Sequence, residues 1–186
     1  MISESELRQI PLLNQLDSAE LKKLIEVMRE RKAPKGSYIV YAEDSGASML
    51  FLVEGRAKVT LVSDEGKEIV LFNLGEGDFF GELAVLSGED RSANVVATTD
   101  CRLFVLGAED FRRHVTENNG LALAMMKELA LRLRAATAKI GDLALYDVYR
   151  RVARTLRSLA AVERVGDAES YRVVDRPTHQ ELANMA

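Results

Sequence analysis

The chain has 186 residues, 47% apolar and 29% charged, with a formal net charge of −4 and one cysteine, Cys101. That length allows one good core and a smaller second unit. No run approaches the roughly 18 apolar residues of a membrane span, and Met-Ile-Ser-Glu-Ser-Glu at the start lacks the basic and apolar regions of a secretory leader. A single cysteine excludes an internal disulfide and makes a reducing cytoplasm the expected location; His114 and His179 lie far from it, so no metal-ligand spacing exists.

In chain order, Asp17 or Ser18 caps a short helix over 17–31, with Leu21, Leu24, Ile25 and Met28 at helical spacing. Residues 36–88 then hold eight of the twelve glycines, between short apolar or alternating runs at 38–41, 49–53, 57–62 and 68–74. Ser63-Asp64-Glu65-Gly66-Lys67 reads as a hairpin turn. Two further strands, 92–98 and 102–106, complete a β region over about 36–106. Turn signals at such regular intervals predict an antiparallel sandwich or barrel.

Inside this region lies Phe79-Phe80-Gly81-Glu82-Leu83-Ala84, followed after a loop by Arg91-Ser92-Ala93. An isolated Glu and Arg at this separation would simply pair with each other. In a glycine-rich, otherwise apolar segment they suit a small ligand carrying hydroxyls and one phosphate. Arg91 offers a planar fork of donors to phosphate oxygens, Ser92 adds a hydroxyl, and the backbone near Gly81 allows close approach. Glu82 is repelled by phosphate but accepts from a sugar hydroxyl.

After Gly107 the period becomes helical: a short helix at 108–117, then a long one from about Gly120. Ala122, Met126, Leu129, Leu133, Ala136, Ile140 and Leu143 alternate at spacings of four and three, an a/d seam on a helix roughly 35 Å long. This predicts a two-stranded coiled coil and a homodimer. A break follows near 143–148, with Asp147 capping a second helix over 150–162 whose Arg150, Arg151, Arg154 and Arg157 form a solvated face or meet phosphates. A charged turn (163–170) and a short strand (171–174) precede a new helix, where Thr178 and Glu181 have capping-box spacing. Residues 1–120 carry 14 basic and 21 acidic side chains, against 11 and 8 in residues 121–186. An acidic sensing part joined to a mildly basic part that meets nucleic acid is consistent with this asymmetry.

The 79–95 segment resembles the phosphate-binding cassette of the cyclic-AMP receptor and fumarate–nitrate regulator (Crp/Fnr) superfamily, closest to its cyclic-nucleotide-binding branch. The likeness continues through the long helix, through Leu145-Tyr146-Asp147, similar to the family's hinge, and into the final Arg-Pro-Thr-His-Gln-Glu-Leu-Ala, similar to the first helix of a winged helix-turn-helix. It implies an α+β chain: an antiparallel, jelly-roll-like β-roll (a double-stranded β-helix) forming a cyclic-nucleotide-binding domain with N-terminal helices (1–118), a dimerisation helix and hinge (119–146), and the beginning of a DNA-binding domain (147–186), cut short before its recognition helix. It implies Gly81, Glu82, Leu83, Arg91, Ser92 and Ala93 as ligand-binding, with Glu82 on the ribose 2′-hydroxyl and Arg91 and Ser92 on the cyclic phosphate. Leu71 lines the pocket wall, and Ala136 and Thr137 stand near the base. Met126, Leu129, Leu133, Ala136, Ile140 and Leu143 form the dimer interface.

The implied partners are a cyclic nucleotide, cyclic AMP foremost, as effector rather than tightly bound cofactor, a second copy of the chain and DNA, with RNA polymerase a further candidate and no membrane. The cyclic-AMP receptor has adjacent Thr and Ser where this chain has Ala136 and Thr137, so one base contact is lost. The four cysteines of the iron–sulfur branch are absent, and no haem ligand stands near the cassette. Alternative readings are a regulator of the same fold sensing cyclic GMP, a cyclic dinucleotide or another effector, and a cyclic-nucleotide module not acting on DNA. No nucleophile, second acid or metal set supports an enzyme.

Overall fold

The computed structural model describes residues 2–46, 48–165, 168–173 and 178–185. It divides into two compact units, Met1–Ala130 and Leu131–Ala186. The first opens with a short helix α1 (Glu4–Leu7), a 3₁₀ turn (Pro11–Gln15) and α2 (Ser18–Val27). Asp17 caps α2 in a reciprocal capping box with Glu20, and the helix buries Leu21 and Leu24.

The helix expected over 17–31 stops at Val27, because Met28 is extended (φ −77°, ψ 150°) and Arg29–Ala33 forms strand β1. The next strands are β2 (Tyr38–Val40), β3 (Ser48–Glu54), β4 (Ala57–Val62), β5 (Glu68–Leu74) and β6 (Phe79–Phe80). A helix α3 (Glu82–Ser87) precedes β7 (Asn94–Ala97) and β8 (Cys101–Gly107). Two four-stranded antiparallel sheets result, ordered β1-β8-β3-β6 and β2-β7-β4-β5. The expected β4–β5 turn is present: Ser63 N–H donates to Lys67 O (3.0 Å) and Gly66 N–H to Ser63 O (2.8 Å).

Strand β3 shows why this is a roll rather than an open sheet. Its residues are buried continuously from Met49 to Val53 because both faces are covered. Met49, Phe51 and Val53 pack with Leu21 and Leu24 of α2 and with Phe111 of the next helix, α4 (Ala108–Glu117). Leu50 and Leu52 face the other sheet and pack with Val59, Val95 and Leu103. Each such side chain taken out of water contributes roughly 1.5–3 kcal/mol.

Helix α5 (Asn119–Leu145) has 27 residues, about 40 Å at 1.5 Å per residue. Its first turns bury Leu121 and Met125 in the first unit's core, with Leu129 packed beside them. Within the second unit, α6 (Val148–Leu159) is capped by Asp147, which accepts from Arg150 N–H (2.9 Å). It ends three residues earlier than the sequence suggested. The expected charged turn is a hairpin of β9 (Ala160–Val165) and β10 (Ala168–Val173). Helix α7 (His179–Met185) follows, its carbonyl at Met185 accepting from Lys139 Nζ (3.1 Å). Val174 and the Arg176-Pro177 step of the terminal motif lie outside the described residues.

Candidate ligand site

The 79–95 segment folds as strand, glycine, helix, loop, strand. Gly81 takes a left-handed conformation (φ 88°) between β6 and α3, and Gly88 (φ 78°) ends that helix. A Cβ on Gly81 would overlap Arg91 Nη1 and press on the Ser48 carbonyl, so only glycine lets the guanidinium lie against the backbone here.

Arg91 is 8% exposed. Its Nη1 donates to Gly81 O (3.2 Å), and its Nη2 donates to Ser48 O (2.7 Å) and Ser48 Oγ (3.1 Å). Burial pulls the guanidinium's pKa down, and the charges of Glu82 and Asp44 oppose that shift. Glu82 on α3 is itself 6% exposed. A buried arginine so far above neutral pH keeps its charge. The segment therefore presents one largely desolvated cation beside one buried acid, where an anion is held more strongly than at the open surface.

Ala93 is buried in the roll's core together with Phe80, and Leu71 on β5 packs half-buried against the same cluster. Ser92 is exposed, and Leu83 is exposed on the outer side of α3. Gly81, Glu82, Leu83, Arg91, Ser92 and Ala93 are thus gathered within the first unit. Ala136 and Thr137 lie in the second unit, on an exposed stretch of α5, where the Thr137 hydroxyl donates to Leu133 O (2.9 Å). Met126, Leu133, Ile140 and Leu143 are all exposed along the same helix.

Of the hinge residues, Leu145 is exposed and ends α5, while Asp147 caps α6. Tyr146 has the guanidinium groups of Arg150 and Arg154 against its ring (5.9 and 5.2 Å), and Arg154 also pairs with Asp142 (3.0 Å). Two of the four α6 arginines, Arg150 and Arg154, thus have partners within their own unit while remaining exposed.

Sequence reading did not find Ser48 or the loop before it. Arg91 N–H donates to Asp44 O and Arg91 O accepts from Glu43 N–H, both at 2.9 Å. Backbone contacts across more than forty residues leave no pattern in side-chain types. A cleft of about 530 Å³ opens nearby, lined in part by Glu89, Asp90, Glu109 and Asp110. Arg112 is the one basic residue on that lining, so the cleft is mainly acidic.

In this β-roll a left-handed glycine sets a buried arginine beside a buried acid, and residues 30–118 match the cyclic nucleotide-binding domain family. The chain is 35% identical over 143 residues to the cAMP-activated global transcriptional regulator Vfr of Pseudomonas aeruginosa, covering 75% of this chain and 67% of Vfr. It therefore belongs to the Crp/Fnr superfamily of transcription regulators, and the matched part spans about two thirds of Vfr's length. Among solved structures, the catabolite activator protein of Thermus thermophilus is 30% identical, with a TM-score of 0.64 over 80% of this chain and 70% of that one. The c-di-GMP-responsive global regulator CLP of Xanthomonas campestris shares the fold with a TM-score of 0.76 over 91% and 84%, at 24% identity. Among the described residues no helix is long and apolar enough to cross a membrane.

Proposed function

We propose that this chain is the ligand-sensing part of a non-enzymatic, homodimeric transcription regulator whose effector is a cyclic nucleotide, cyclic AMP foremost. The observation that carries the reading is Arg91, desolvated and fixed beside Gly81 and Glu82. Arg91 and Ser92 take the cyclic phosphate, Glu82 accepts from the ribose 2′-hydroxyl, Leu71 forms the apolar wall, and Thr137 reaches the base. Sensing occupies residues 1–118. Residues 119–146 carry the dimer seam and hinge, and 147–186 begin the DNA-binding unit. The exposed apolar row on α5 supports the dimer, since its occupant must be equally apolar and of similar length. Effector binding shifts the population between two dimer arrangements and thereby reorients the units that meet DNA in the cytoplasm, with RNA polymerase a further candidate partner.

Titration calorimetry against cyclic AMP, cyclic GMP and cyclic di-GMP tests this. Cyclic AMP should bind most tightly, and Arg91→Lys, which keeps the charge but loses the fork, should weaken it at least tenfold, about 1.5 kcal/mol or more. Binding of cyclic di-GMP alone would assign the other effector class. Unchanged affinity in the variant would remove Arg91 from the site.

A further inference from the structure

Arg91 is held by atoms of the chain itself. Three hydrogen bonds, two of them to Ser48, engage its terminal nitrogens, and a guanidinium has five N–H donors. Ser48 is itself fixed, being the first residue of β3 and paired in register with Gly107 of β8. The loop leading to it is stapled to the Arg91 backbone by the Glu43 and Asp44 bonds. Glu43 there has φ 69°, the left-handed region a non-glycine residue enters at a cost, and such conformations persist where neighbouring contacts over-determine them. Gly46 in the same loop lies so close to Ala84 that an added Cβ would overlap the alanine's, which seats the loop against the helix bearing Glu82.

Resting on the cyclic-nucleotide reading above, we propose that Ser48 is a positioning residue of the ligand site: its hydroxyl and carbonyl fix the plane of the Arg91 guanidinium, so the phosphate meets a preset array of donors. The carbonyl bond survives any substitution, so the hydroxyl carries the adjustable part. The β2–β3 loop is the frame for this contact. It joins the cation at Arg91 to the helix that holds the acid.

Ser48→Ala and Ser48→Thr should be titrated with cyclic AMP and with its two phosphorothioate diastereomers, each of which replaces a different exocyclic oxygen by sulfur. Ser48→Ala should weaken cyclic AMP about tenfold and narrow the preference between the diastereomers, because a guanidinium held by the two carbonyls alone is less firmly oriented toward either oxygen. Ser48→Thr, which keeps the hydroxyl, should restore both. A wholly structural role would lower thermal stability and weaken both diastereomers equally, and that outcome overturns the proposal, as does an unchanged ratio at wild-type affinity.

Nitrogen NMR of the Arg91 side chain reads the same contact without ligand. Guanidinium rotation should be measurably faster in Ser48→Ala than in the wild type, since one of three bonds is lost. If the wild type binds no cyclic nucleotide yet rotation changes, the effector reading fails and the Ser48–Arg91 contact stands. If rotation is the same in both, the positioning role fails whatever binds.

Discussion

Thr60 is fully buried on β4, and among the described residues its Oγ1 has no hydrogen-bond partner. A buried hydroxyl left unpaired costs about 1–3 kcal/mol, and valine has nearly its shape without the polar atom. Thr60→Val should therefore stabilise the first unit by about 1 kcal/mol and raise its melting temperature. A lower melting temperature in calorimetry would show that the hydroxyl is satisfied. At this scale the sequence was informative wherever a side chain's chemistry announced itself: Arg91 and Glu82 stood out as a cation and an acid in a glycine-rich run. Ser48 and Thr60 did not, because one meets Arg91 across more than forty residues and the other is marked by a missing partner, and neither property belongs to a residue type.

Helices and strands differed in how much they disclosed. The α5 seam was readable because its period is carried by large apolar residues. Its first turns also bury Leu121 and Met125 in the chain's own core, a second stripe one position away that the seam masked. Strand β1 went unrecognised because Arg29–Lys32 is a run of four charges on an exposed sheet edge, where such side chains discourage unwanted pairing and carry no alternation. Its strand state is imposed by pairing with β8, more than sixty residues away. Of the β9–β10 hairpin only the end of β10 was legible, as the strand expected at 171–174; β9 was read as the end of the preceding helix and as charged turn, because Ala160-Ala161-Val162 continues an apolar run after α6. Leu133 is 69% exposed on α5. If a second copy covers it, Leu133→Glu replaces apolar burial from both chains by facing carboxylates, costing about 3 kcal/mol, or about a hundredfold in dimer affinity. Light scattering should then report monomer for the variant and dimer for the wild type; a wild-type monomer at micromolar concentration would exclude the seam as an interface.

For the whole molecule, acid stability is set by groups that tie distant elements together. Arg102 on β8 bonds Glu6 of α1 (2.6 Å), Glu30 of β1 (3.1 Å) and Glu54 of β3 (3.3 Å). Hydrogen bonds from Ser3 and Arg102 bring Glu6 down from 4.5 to about 2. This contribution is complete above pH 4.5 and is lost as pH falls toward 2. Buried His114 has its pKa lowered from 6.5, first by burial and then by Arg113. Its neutral form is the folded one, so stability is complete above pH 6.5 and begins to fall below it. Melting temperature should thus decline in two stages on acidification, the first from His114 and the second from Glu6. Glu6→Gln should remove only the second; two stages persisting unchanged in that variant would mean Glu6 contributes nothing to the fold.

Gly81 and Gly46 carry a consequence for how such a site can change over generations. Each is a place where the next atom of a side chain would occupy space already filled, by Arg91 in one case and by Ala84 in the other. Single substitutions at these two positions cannot tune affinity by degrees, since every available replacement displaces the cradle itself. Gradual change is therefore left to positions where an added side chain meets open space. The two glycines thus act as fixed points of this corner, where change is all or nothing, while positions with open space around them remain free to vary by single steps.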